Sequence, residues 1–192
     1  MLTWVINKVT KVIQFVCVLV VGFFWLHHVV LSVLGMVLLV FANDFVTMSL
    51  ATDNVKTTKN PNIWNVRNIT LASLVIGALL VLEGAVILFI GNNYYHMELV
   101  TLQTFLLLTL VFTSQFRVLI VREREHFWSS RPGRELILSC LATVIGFALL
   151  GVYGVIIPPV TVAQVAVVLG LSVLFTLALD YPKYYAFRKF GL

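Results

Sequence analysis

The sequence predicts an all-α, polytopic membrane protein: six transmembrane helices in one bundle, with both termini in the cytoplasm. Three observations carry that prediction. The 192 residues are 60% hydrophobic and 11% charged, whereas a water-soluble domain carries about 25% charged residues. The apolar residues gather in six runs, each near the roughly 20 residues a helix needs to cross a bilayer core of about 30 Å. All 13 lysines and arginines fall on one side when those runs are threaded back and forth.

The first run, about 9–26, opens beside Lys8 and Lys11 and lacks the small-residue cleavage site of a signal peptide. The second, about 29–51, is separated from it by His27-His28 alone, which predicts a tight hairpin. The third covers about 69–90 and the fourth about 99–121. The fifth covers about 136–157 and the sixth about 161–179. Pro158-Pro159 marks the turn between these last two, because proline cannot continue a helix. The loops are too short to fold by themselves, so residues 1–192 read as one transmembrane domain.

Orientation follows from the basic residues. Lys8 and Lys11 sit at the first run, and Lys56, Lys59 and Arg67 lie between the second and third. Arg117, Arg122, Arg124, Arg131 and Arg134 end or follow the fourth, and Lys183, Arg188 and Lys189 close the chain. The opposite loops, at His27-His28, 91–98 and Pro158-Pro159, have none. The positive-inside rule puts the basic side in the cytoplasm. Trp25, Tyr94 and Tyr95 then mark the outer interface, and Trp64, Trp128, Tyr181, Tyr184 and Tyr185 the inner one.

Several classes are excluded. The net charge of +5 comes from span ends and is no nucleic-acid footprint. Cys17 and Cys140 lie in apolar runs as small hydrophobes, and no Cys/His spacing suggests a metal. His27 and His28 point about 100° apart on a helix, with no further ligand near them. No nucleophile with an adjacent base and no phosphate-binding loop occurs, so there are no catalytic candidates. The chain shows no inverted repeat of the kind that builds many secondary transporters, and no amphipathic surface helix.

What remains is a set of polar residues inside the runs. Asp44 lies in the second, where a charge costs roughly 2.5–3.5 kcal/mol on insertion scales. With Asn43, Thr47 and Ser49 around it, Asp44 is the candidate ion or proton site; the alternative is a protonated carboxyl bonded between helices for packing. Asn43-Asp44 is also a place for the helix to loosen and free backbone carbonyls. Gln14 in the first run is expected to face Asp44 across the hairpin, either as part of the site or as an interhelical hydrogen bond worth about 0.6 kcal/mol. Glu83, the second intramembrane acid, reads as a relay group, a residue reaching the interface, or a partner for a neighbour. Gln103, Thr109, Thr113, Ser114 and Gln115 read mostly as polar glue, Arg117 as a snorkelling residue, and Asp180 as a partner for nearby bases.

Asn43-Asp44, Thr47-Met48-Ser49, Ala51 to Lys56, Asn60-Pro61-Asn62-Ile63-Trp64, Arg122 to Trp128 with Arg131-Pro132-Gly133, and Asp180 to Lys183 together resemble the C-terminal membrane half of a P-type ATPase. The likeness covers essentially the whole chain, matches the family's fifth to tenth helices, and is nearest the plasma-membrane H+-ATPase branch. It implies that Asp44, with Asn43 beside it, takes up and releases a transported proton or other cation. Two departures stand out. Gln14 falls near where the plant and fungal pumps carry an arginine. The Asp-Lys-Thr-Gly-Thr and Thr-Gly-Glu motifs, the nucleotide domain and the first four helices are absent from the chain. ATP and Mg2+ would therefore bind a catalytic half outside it, and the expectation is a gene fragment starting at Met1 or a separate half that joins such a partner. A stand-alone channel or carrier, and a regulatory membrane protein that associates with a pump, are the alternatives.

Overall fold

The computed structural model describes residues 2–50, 66–123, 125–129 and 131–190. Arg124 and the 51–65 segment, with its Lys56, Lys59 and Asn60 to Trp64 stretch, lie outside the described residues. The fold is all-helical: α1 (Leu2–Leu26), α2 (Val33–Ser49), α3 (Val66–Phe89), α4 (Leu99–Val121), α5 (Arg134–Tyr153) and α6 (Val162–Phe190). All but α2 are long and apolar enough to cross a membrane; α2 has 17 residues, about 25 Å of helix. Together they make a multi-pass integral membrane bundle.

The expected hairpin between the first two runs is looser than the two histidines suggested. His27 leaves the helix at φ 56°, in the left-handed region that histidine enters more readily than most residues. The next helix then waits for a cap: the Ser32 hydroxyl accepts from the Gly35 N–H at 3.0 Å, the usual way to satisfy a first-turn donor. The link therefore covers 27–32, and α2 begins at Val33 instead of at 29. Val30 and Leu31 fill the space under α1, and Gln103 of α4 donates to the Val29 carbonyl at 2.7 Å.

The other boundaries shift for equally local reasons. α3 passes into a π-helical turn, Ile90–Tyr94. α5 stops at Tyr153, four residues before the expected 157, because Gly154 takes φ 65° and closes the helix with its N–H on Leu150 O, a left-handed cap that glycine adopts without strain. Thr161 and Gln164 then form a reciprocal capping box, with N–H···O distances of 2.8 and 3.3 Å. α6 runs through Pro182 to Phe190, well past the expected 179. Its extension is held because Lys183, Ala186 and Phe187 are buried there.

α4 is the central helix: it touches all five of the others and is buried on every side. An apolar helix with no wet face belongs in such a position. α1 and α3 pack tightly at the glycines of α3. A Cβ at Gly77 would come within 2.7 Å of Ile13 Cγ2, and one at Gly84 within 2.6 Å of Val18 Cγ2. Small residues that let backbones approach drive helix association in lipid. The outward faces carry Val12, Val16, Val20, Phe24, Val37 and Phe41, as a lipid-facing surface requires.

Gly84→Ala should lower the thermal midpoint of the purified protein in detergent, with an overpacking cost of about 1–3 kcal/mol. Gly146→Ala, whose added Cβ meets nothing within 4 Å, should raise it slightly through helix propensity.

Candidate functional site

Asp44 lies on α2, half exposed on the side of the bundle that α1 and α2 share. Its Oδ1 pairs with Lys8 Nζ at 3.2 Å, with 49% of the Asp44 side chain and 36% of the Lys8 side chain open. Asn43 beside it is buried and donates to Leu39 O at 2.7 Å. Thr47 donates to Asn43 O at 2.6 Å and Ser49 to Val46 O at 2.8 Å. These polar groups therefore bond the carbonyls of their own helix. α2 stays continuous through Asn43-Asp44 where loosening was expected: the carbonyls of Leu39, Asn43 and Val46 are bonded by side chains of the same helix instead of being freed.

Gln14 does not face Asp44. Its Oε1 accepts from Arg117 NH1 at 2.8 Å, and Asn7 Oδ1 accepts from Arg117 Nε at 3.4 Å. Arg117 is 1% exposed, so it turns inward instead of snorkelling to the interface. The reason is its helix: α4 has no lipid-facing side along which the side chain could climb out. A cavity of about 10 Å³ lies between α1, α2 and α4, lined by Lys11, Gln14, Asn43, Ser114 and Arg117 among others. It has room for about one water molecule.

Glu83 sits on α3 and is fully buried, 0% exposed, so it does not reach the interface. Thr113 of α4 donates to its Oε1 at 2.5 Å, and the Thr113 and Ser172 hydroxyls are 3.2 Å apart. Thr176 donates in turn to Ser172 O. The Glu83 Oε2 has no hydrogen-bond partner among the described residues. The remaining α4 residues behave as glue: Gln115 donates to Ala42 O at 3.3 Å, Thr109 to Phe105 O and Ser114 to Val111 O.

Sequence reasoning missed the clasp between the α4–α5 loop and α6. It expected Asp180 to pair with bases, and Lys183 Nζ is indeed 2.9 Å from Asp180 Oδ1. It did not anticipate that His126 Nδ1 lies 2.6 Å from Asp180 Oδ2, nor that the His126 ring stacks on Trp128 and Tyr184 with centroids 4.5 and 4.7 Å away. Lys183 also donates to the carbonyls of Ile120, Glu123 and Glu125, tying the end of α4 to α6. No motif announces these contacts, because the partners are distant in sequence.

Among the described residues no three His, Cys, Asp or Glu side chains gather as a metal site needs. The chemistry on offer is proton exchange at carboxyl groups and the holding of charge by built-in cations.

Fold and site define a class: a multi-pass membrane protein with ionisable side chains set between its helices. The chain is 26% identical over 164 residues to the protein named "Putative cation-transporting ATPase MJ1226" of Methanocaldococcus jannaschii, a match that covers 82% of this chain and 20% of that protein. The chain thus spans about a fifth of that relative's length. No family model matches.

Arg117→Ala should cost about 3 kcal/mol, from two hydrogen bonds to a charged group at roughly 1.5 kcal/mol each. Unfolding in mixed micelles checks this, with the less buried Gln103→Ala as the milder comparison.

Proposed function

We propose that this chain is the membrane-embedded, ion-translocating part of a P-type ATPase that moves protons or another cation. Asp44 is the group that takes up and releases the ion, with Asn43 and Gln14 on the helices that frame it. The observation that carries the reading is the Lys8–Asp44 pair, half open between α1 and α2. Charges at such a place are costly in lipid and mark ion or proton pathways. Further membrane helices of a longer protein would cover this side, and the match to a cation-transporting ATPase supports that origin. The ATP- and Mg2+-binding half lies outside the chain on this reading.

A proton fits the geometry better than a metal ion. A calcium-type site takes about 6–8 oxygens, and Asp44 already has an ammonium group at 3.2 Å. Protonation of Asp44 would release Lys8, and loss of the proton would restore the pair, so Lys8 serves as a tethered counter-cation. The distribution of basic residues supports an orientation with both termini cytoplasmic, and the plasma membrane is the location on this reading.

The test is ATP-driven acidification by liposomes containing this chain together with the catalytic half. Asp44→Asn should reduce pumping at least tenfold and Asp44→Glu should retain part of it, while liposomes with this chain alone should hold a proton gradient. Pumping that survives Asp44→Ala would remove Asp44 from the path. Asp44-dependent flux from the chain alone would favour a stand-alone channel.

A further inference from the structure

We propose that Glu83 is a second proton-binding site, enclosed where α3, α4 and α6 meet, and that it holds its proton as a neutral carboxylic acid. The geometry is that of an acid, not of an ion. An ionised carboxylate offers about four acceptor positions, and burying it without matching donors or a bonded cation is strongly unfavourable. Glu83 is fully buried, with the Thr113 hydroxyl on one oxygen and no partner for the other among the described residues.

The surroundings of Glu83 from each packed helix agree. α4 contributes Thr113 and, at longer range, the positive charge of Arg117. α6 contributes the hydroxyl pair Ser172 and Thr176. α1 meets this stretch of α3 through Ile13 and Val18. Arg117, the cation in this set among the described residues, gives one N–H to Gln14 and one to Asn7, and it makes no ion pair with Glu83. Few oxygens converge here, far from the six or more of a hard-cation site, which makes the proton the fitting ligand.

Arg117 gives the site its second state. When Glu83 releases its proton, the nearby guanidinium is the counter-charge that makes the ion tolerable inside the bundle. In the structure that guanidinium is bonded to α1, on the lining of the cavity beside Asn43. Proton loss at Glu83 therefore competes with α1 for Arg117, which links the enclosed acid to the helix pair carrying Asp44. As a step in transport this rests on the proposed function; as a proton site it is testable without ATP.

The experiment is infrared spectroscopy of the complete chain in liposomes at neutral pH, after labelling with 13C-glutamate. The other glutamates, Glu98, Glu123, Glu125 and Glu135, lie at helix ends and in loops, and none of them is buried. A labelled carbonyl band of a protonated acid should appear, shift in D2O, vanish in Glu83→Gln and survive Asp44→Asn. The labelling needs no variant, so misfolding of Glu83→Gln cannot imitate the result. Absence of a labelled acid band would mean that Glu83 is an ion and would overturn the proposal. A band that never shifts in D2O would also overturn it, because a sealed proton is not an exchanging site. Pumping that survives Asp44→Asn with the Glu83 band intact would refute the proposed function and leave this site standing.

Discussion

The structure depends on one constraint: α4 has no face turned to lipid or water, so each of its polar side chains must find a partner on a neighbouring helix or on its own backbone. Inside a bilayer no solvent takes up the slack. Arg117 meets this demand through Gln14 and Asn7, Thr113 through Glu83, and Gln115 through the Ala42 carbonyl. Cys140 of α5 turns its thiol to the Gln115 carbonyl. These bonds radiate from α4 to α1, α2, α3 and α5. Each is modest in energy, but together they specify which helix lies where, a choice that grease against grease leaves open.

The two intramembrane acids answer the same constraint in opposite ways. Asp44 stands on the flank of the bundle with a lysine at hand and space around it. Glu83 is fully buried beside the Thr113 hydroxyl, with no cation bonded to it among the described residues. Arg117 is fully buried and bonded to Gln14 and Asn7 of α1.

The loop clasp shows how much of the architecture is anchored outside the apolar region. Asp180 receives Lys183, the backbone N–H of Phe127 and the His126 ring. That cluster explains why α6 runs on through a proline that was expected to lie beyond its end. Burial of Lys183, Ala186 and Phe187 outweighs the hydrogen bond a proline forfeits, a loss that local pattern alone would have used to end the helix.

Composition and the spacing of apolar runs determined by themselves that this is an all-α membrane protein, and they placed the fourth helix at 99–121, where α4 runs from Leu99 to Val121. They also singled out the buried and half-buried polar residues, since Asp44, Gln14 and Glu83 interrupt apolar runs. Which of these meet was decided only by the tertiary structure. Gln14 pairs with Arg117 instead of Asp44, and Glu83 with Thr113, whose hydroxyl lies 3.2 Å from that of Ser172. The physical reason is that hydropathy has a period along one helix and so reports depth and burial. Partnership depends on the rotation of each helix about its axis, and that rotation is set by packing contacts such as Gly84 against Val18, which join residues far apart in the chain.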